Sequence, residues 1–275
     1  MFSGVAMKAF KILLALVLAA VAGLYCFDRV STAASGRDEA PSISCPQEAL
    51  EVSVAADDAA LLAGVTAFDA QDGDLTYKVR ILGISKFIED YTAKITYVVF
   101  DSHNNMSTCS RPLRFTDYHS PVFTVKAPLI YPKGASMLLL DRLSVTDVID
   151  GDITDSIRVT PIKATSDPEI YTVDIQVTNS MGDTVRITLP VIQQESSLNR
   201  AEVTLSSSLV YLKAGSSFNA GNYLRSVSTP KGWASPADVE ITGNVDTNTP
   251  GTYMVYYEYR SENYSGTSVL TVVVE

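Results

Sequence analysis

The sequence predicts an all-β chain of three small tandem units behind an N-terminal apolar helix. Three observations predict it. From Ser42 onward the chain is built of short alternating or valine-rich runs separated by turn residues, with no sustained helical period. A turn phrase recurs about 78 positions apart. The only long uncharged apolar stretch lies close to the N-terminus. Composition agrees: 275 residues, 46% hydrophobic and 19% charged, with mean hydropathy +0.13, exclude a disordered polyelectrolyte and a polytopic membrane protein. A formal net charge of -10 argues against non-specific nucleic-acid binding, which needs clustered Lys and Arg to displace counterions from phosphates.

The first element is the apolar run from Ile12 to Phe27, preceded by Lys8 and Lys11, which is an export layout. It sits at the lower limit of length for a bilayer crossing. Ala20-Val21-Ala22 has the small-x-small form of a cleavage site, but Leu24, Tyr25, Cys26 and Phe27 extend the run beyond it. Tyr25 and Phe27 at the headgroup level favour retention as an anchor. The expected location is therefore the cell membrane, single-pass with the C-terminal domains outside, with secretion after cleavage as the alternative. Ser31 to Ala40 is small and polar and reads as a stalk, so residues 1–40 form the signal or anchor helix and short stalk.

The strands follow. Leu50 to Val54, Ala93 to Phe100, Ser136 to Leu140, Ile170 to Val177, Thr184 to Pro190, Ala201 to Leu205, Tyr253 to Arg260 and Ser268 to Val274 carry strand patterning. Ala60 to Phe68 is alanine-rich but ends in turn chemistry without a capping box, so a bent strand or loop is expected. The phrase Asp72-Gly73-Asp74-Leu75-Thr76 is repeated as Asp150-Gly151-Asp152-Ile153-Thr154. Tyr97 to Asn105 is echoed in step by Ile175 to Asp183. The last third lacks Asp-Gly-Asp but keeps the order strand, turn, strand across Thr252 to Val274. Patterning lapses at 114–121 and 193–200, which divides the chain into units at 41–116, 117–192 and 200–275.

These phrases resemble the bacterial immunoglobulin-like domains of the DUF5011 and Cry22Aa-type group, relatives of HYR and other bacterial Ig-like modules. The resemblance is carried by Asp72, Gly73, Asp74 and by Asp150, Gly151, Asp152, and in the divergent third copy by Asn244 to Tyr253. The first copy departs from it in having Glu89-Asp90-Tyr91 where the family usually places Gly-Thr-Tyr. It implies tandem immunoglobulin-like β-sandwiches that are non-catalytic beads on an exported chain, and the shortness of the links at 114–121 and 193–200, which limits reach, leads to the expectation of an elongated, semi-rigid rod.

Residues able to carry chemistry are few. Asp69, Asp72, Asp74 and Asp101, with Asp147, Asp150 and Asp152, are hard oxygen donors of the kind Ca²⁺ takes, but their spacing is not that of an EF-hand. The other reading is that Asp-Gly supplies a turn and the carboxylates bond nearby backbone N–H groups. Cys45 opens the first strand region and Cys109 lies in the strand closing the first unit, a placement that allows a disulfide, two free thiols or pairing between chains. His103 and His119 both fall in turns. No nucleophile elbow, phosphate loop or Cys-x-x-Cys pair occurs.

The expectation is therefore no enzyme, with no catalytic, cofactor-binding or metal residues and no cofactor. Aromatics are concentrated in the third unit: Trp233, Tyr253, Tyr256, Tyr257, Tyr259 and Tyr264. By strand parity one set of tyrosines is core; the other either joins Trp233 as a stacking surface for sugar or protein, or fills the rim of the core. The function expected is a cell-surface adhesion or recognition protein whose partner is an extracellular protein or glycan. A structural spacer or envelope scaffold, and an accessory binding module for a carbohydrate-active or cell-wall enzyme, are the alternatives.

Overall fold

The computed structural model describes Val21, residues 39–194 and residues 199–275. Apart from Val21, the predicted anchor or signal helix with its cleavage site and nearly all of the stalk lie outside the described residues. Among the described residues no helix is long and apolar enough to cross a membrane. The chain divides into two compact units. One gathers residues up to Leu50, Asp57–Ile84 and Lys94–Leu113, and the other gathers Glu51–Ala56, Ser85–Ala93 and Arg114–Glu275.

The first third of the chain has strands β1 (Ser42–Ser44), β2 (Leu50–Val52), β3 (Thr66–Asp69), β4 (Gly73–Asp74), β5 (Arg80–Ile84), β6 (Thr92–Phe100) and β7 (Met106–Phe115). They form two sheets, ordered β1-β3-β4 and β2-β7-β6-β5. Strand β6 shows the expected alternation, with Ala93, Ile95, Tyr97 and Val99 all buried. Each such side chain taken from water contributes about 1.5–3 kcal/mol, less for alanine.

Of Ala60 to Phe68, the middle is the expected loop and Thr66 to Phe68 lie in β3, but the start departs from expectation. It opens with a single helical turn, α1 (Asp58–Leu61), capped by Asp57, whose Oδ1 accepts the Ala60 N–H at 2.9 Å. One aspartate cap is enough for one turn, so the missing capping box did not exclude a helix. The exposed end of α1 is closed by a buried pair: Tyr97 Oη donates to the Leu61 carbonyl at 2.7 Å, and Arg111 donates to Tyr97 Oη at 2.9 Å and to the Ala63 carbonyl at 2.8 Å.

The second third contributes β8 (Val122–Val125), β9 (Ile130–Pro132), β10 (Leu143–Asp147), β11 (Gly151–Asp152), β12 (Arg158–Val159), β13 (Lys163–Ala164), β14 (Ile170–Thr178) and β15 (Thr184–Gln194). Its sheets run β11-β10-β8 and β12-β14-β15-β9, with β13 also paired to β14. Phe123, Leu143 and Val145 from the first sheet meet Val173, Ile175, Leu189 and Val191 from the second in one cluster, which makes this a sandwich. Ser136 to Leu140 forms no strand; the chain turns at Gly134 (φ 80°) and enters a 3-10 turn at Leu140–Arg142. Leu139 is buried there while Leu138 is exposed, so the run's apolar residues act singly rather than as a sheet face.

The last third contributes β16 (Glu202–Leu205), β17 (Leu209–Leu212), β18 (Leu224–Thr229), β19 (Gly232–Ala234), β20 (Val239–Thr242), β21 (Gly251–Arg260) and β22 (Ser265–Val274). The sheets are β16-β18-β19 and β17-β22-β21-β20. Val203 and Val227 of one face Val255, Tyr257, Leu270 and Val272 of the other. Strands β9 and β17 pair in parallel with β15 and β22 in equivalent places. All three thirds thus share one plan: a three-stranded sheet opposite a sheet built on the final hairpin. Gly266 allows a close approach within this plan, since a Cβ there would lie 2.0 Å from the Ala201 carbonyl oxygen.

The second and third sandwiches belong to one compact unit and are not independent beads. Ile170, Ile192 and Val269 are buried against one another, with Ile130, Met254 and Tyr256 packed around them. Tyr211 Oη accepts the Phe123 N–H at 3.0 Å, and Arg200 pairs with Glu169 at 3.3 Å. Burial raises the Tyr211 phenol to about 12. A shared apolar seam thus joins the two sandwiches on either side of the short link at 193–200.

Candidate functional site

The repeated aspartates are placed by their turns. Gly73 and Gly151 adopt φ of 78° and 72°, which only glycine takes without strain, and each lets the chain reverse between two short strands. Inside the first turn, Asp69 Oδ1 accepts the N–H groups of Gln71 and Asp72, both at 2.8 Å. Asp147 Oδ1 does the same for Ile149 and Asp150 at the same distance. Asp72 accepts the Ser102 N–H at 2.6 Å and its hydroxyl at 2.8 Å; Asp150 accepts the equivalent pair from Ser180 at 2.6 and 2.7 Å. The phrases that repeat in sequence are thus two halves of one clasp, tying the Asp-Gly-Asp turn to the turn of the final hairpin.

Hydrogen bonds from the Ser102 hydroxyl and backbone hold the Asp72 carboxyl below its usual range, and Thr76 and Thr154 do the same for Asp74 and Asp152. Asp101 Oδ1 accepts the N–H groups of His103 and Asn105, and Asn179 occupies the equivalent place, donating to Asp147 at 3.0 Å. Among the described residues no group of three or more His, Cys, Asp or Glu is arranged to hold a metal ion. These contacts match the structural-turn reading of the aspartates.

Cys45 is buried, Cys109 is half-buried, and both are free thiols in this structure. Their side chains touch, and burial followed by the Cys45 contact raises the Cys109 thiol to about 12. A protonated thiol is a poor nucleophile at neutral pH. His119 is exposed, with Nδ1 3.0 Å from the Ser120 carbonyl.

The aromatics of the last sandwich separate by environment. Tyr257 and Tyr259 are buried core, with Tyr253 and Tyr264 packed partly against them. Tyr256, of opposite parity, lies in the seam rather than on a free surface. Trp233 is the exception at 80% exposed. It stands on the edge strand β19, paired with Ser228, which is itself opposite Glu202; Thr204 and Ser226 pair next along the same face. Val203, Val227 and Ala234 alternate inward, so the outer face of this sheet is a floor of hydroxyls and one carboxylate with a single indole at its rim.

A second aromatic group was missed by the sequence reading. Phe87, Tyr91 and Tyr118 have ring centroids 4.8 to 5.7 Å apart. The segment Ser85–Ala93 belongs to the second compact unit, where the Phe87 N–H donates to the Met181 carbonyl at 2.9 Å. Asp90 and Tyr91 sit at φ of 44° and 54°, and the Thr92 N–H donates back to the Glu89 carbonyl at 2.7 Å. Two central residues at positive φ make a tight turn that normally recruits Asn-Gly; a tyrosine there costs about 1–2 kcal/mol. The sequence signal available was Glu89-Asp90-Tyr91 itself, noted only as a departure from the family pattern. Tyr91, His119, Ser120, Asp183, Thr184 and Arg186 line a cleft of about 670 Å³. Tyr118 Oη donates to Asp183 Oδ2 at 2.7 Å and accepts from Asn179 at 2.9 Å; burial and then the Asp183 carboxylate raise its phenol well above the ordinary value.

Residues 205–274 match the family described as bacterial surface protein, Ig-like domain. The match falls on the third sandwich, the copy whose turn phrase is weakest. No curated protein is similar enough to this chain to be matched. Among solved structures, the M60 catalytic domain with the CBM51-1 and CBM51-2 domains from Clostridium perfringens ZmpB is 8% identical at TM-score 0.25, covering 85% of this chain and 30% of that one. The CBM51-2 in complex with GlcNAc and INT domains of the same protein is 16% identical at TM-score 0.23, covering 86% and 42%. Human CDH23 EC21-23 is 12% identical at TM-score 0.23, covering 86% and 100%. The chain spans less than half the length of either bacterial structure, and TM-scores this low carry no functional argument.

Proposed function

We propose that this is a non-catalytic cell-surface recognition protein, with immunoglobulin-like domains of the DUF5011 type at 41–116, 117–192 and 200–275 behind a membrane anchor at 1–40. The observation that carries the reading is Trp233, 80% exposed at the rim of a hydroxyl-lined sheet face. An indole left in water gains nothing for the fold, whereas on a binding surface it provides the large rigid area that dominates interface energies. The ligand is an extracellular glycan or protein. The family matched at 205–274 supports a surface location for the same sandwich.

The test is a glycan and surface-protein array probed with the purified full chain and with Trp233→Ala. Loss of about 2 kcal/mol, some 30-fold, is expected at a central aromatic contact. An array that stays silent with the unaltered chain overturns the reading. A structural spacer or envelope scaffold is the second reading, favoured by the apolar seam of Ile170, Ile192 and Val269, which makes two sandwiches one stiff body.

A further inference from the structure

We infer that the cleft beside Tyr91 is a second ligand site, separate from the Trp233 face, and that its ligand is a short neutral oligosaccharide. The inference starts from the backbone. Asp90 and Tyr91 both occupy the left-handed region, at φ of 44° and 54°. Glycine at the second place would remove the strain, and tyrosine is there instead. Its ring does not return that cost by burial, because Tyr91 is 50% exposed. The ring is nonetheless held, against Phe87 at 5.7 Å and Tyr118 at 5.2 Å. The outcome is a supported aromatic face at the wall of an open cleft, which is the arrangement that stacks on the C–H face of a sugar ring.

The polar groups around it are held as firmly. The Tyr118 hydroxyl occupies Asp183 Oδ2 at 2.7 Å, fixing that carboxylate at the cleft wall. Arg186 donates to Gln176 Oε1 at 2.7 Å on the paired strand, which orients its guanidinium along the same wall. Ser120 Oγ lies 3.4 Å from Tyr91 Oη, adding a group that both donates and accepts. One fixed acceptor, one fixed donor and a hydroxyl suit vicinal hydroxyls, and the carboxylates of Asp183 and Glu275 against the single guanidinium of Arg186 leave the lining unfavourable to an anion. The volume of about 670 Å³ falls in the range of small-ligand sites and leaves room for about two or three pyranose rings.

The experiment is calorimetric titration of the purified full chain with cellotriose, maltotriose, mannotriose and triacetylchitotriose in turn. Saturable binding of at least one trisaccharide is expected, weakened at least 10-fold by Tyr91→Ala and by Arg186→Gln and unchanged by Trp233→Ala. The two cleft variants alter exposed side chains, and a melting curve for each confirms that they fold. Absence of binding by all four sugars overturns the inference, as does a Tyr91→Ala chain that binds as the unaltered one does. Loss of binding in Trp233→Ala alone also overturns it, while leaving the proposed role of the third sandwich intact. Capture of a polypeptide by the cleft with no sugar bound overturns the ligand class.

Discussion

Oxidation of the first third of the chain offers a measurable test of how it is stabilised. Cys45 and Cys109 touch as free thiols, one just after the end of β1 and one within β7. Joining them closes a loop of about 65 residues, and the loss of unfolded-state entropy for a loop of that length is worth about 4 kcal/mol. For a domain of this size each kcal/mol moves the melting temperature by roughly 4–8 °C, so the bridge is expected to raise the first transition by roughly 15–30 °C. Because burial keeps the Cys109 thiol protonated up to about 12, uncatalysed oxidation at neutral pH is expected to be slow. The assay is scanning calorimetry of the chain oxidised with a disulfide catalyst, of the same chain reduced, and of Cys109→Ser, with peptide mapping to identify the link. Mapping that finds both cysteines alkylated after oxidation refutes the reasoning, and so does a bridged chain melting within a few degrees of the reduced one.

Acid is expected to loosen the Asp-Gly-Asp clasps. Asp72, Asp74 and Asp152 have carboxyls held below the ordinary aspartate value by hydrogen bonds from Ser102, Thr76 and Thr154. Groups depressed in the folded state stabilise it above their unfolded pKa, so the stabilisation is complete above about pH 5 and is lost as pH falls through the folded values. Melting temperatures measured from pH 6 to pH 2 check the direction, and a flat profile below pH 4 contradicts it. The seam of the second unit predicts that its two sandwiches melt in one transition. Val269, buried against Ile170 and Ile192, is the point to break it: Val269→Asp places an unpaired carboxylate among apolar side chains at a cost of about 3–5 kcal/mol and is expected to split that transition in two. A single transition that merely shifts contradicts a shared seam.

What was legible beforehand is what depends on near neighbours in the chain. Alternation along β6 and β14 shows in the residues themselves, because successive side chains of a strand face opposite ways. The Asp-Gly-Asp turns were legible for a similar reason: Asp69 and Asp147 bond backbone groups two and three residues on, and such contacts leave a short sequence phrase. The helical turn at Asp58–Leu61 is local too, but it rests on a single Asp57 cap and leaves no capping box in the sequence to mark it. Ser136 to Leu140 was misread because an apolar run does not say whether a partner strand lies beside it.

By itself, then, the sequence determined an all-β chain, the repetition of one plan and the chemistry of its turns. Only the tertiary structure decided where the aromatics went. Tyr256 and Tyr257 are neighbours on β21, yet one fills a core and the other a seam with the preceding sandwich. Nothing in strand periodicity separates those outcomes, because periodicity gives the side of a sheet and not what covers it. The cleft is a stronger case: Tyr91 and Asp183 come from turns far apart in the chain, the first strained by its own turn and the second held by the distant Tyr118 hydroxyl, and they share a wall only after the fold brings the turns together. The physical reason is one of range: hydrogen bonds within a turn and side-chain alternation act over a few residues, whereas burial is decided by which surfaces meet.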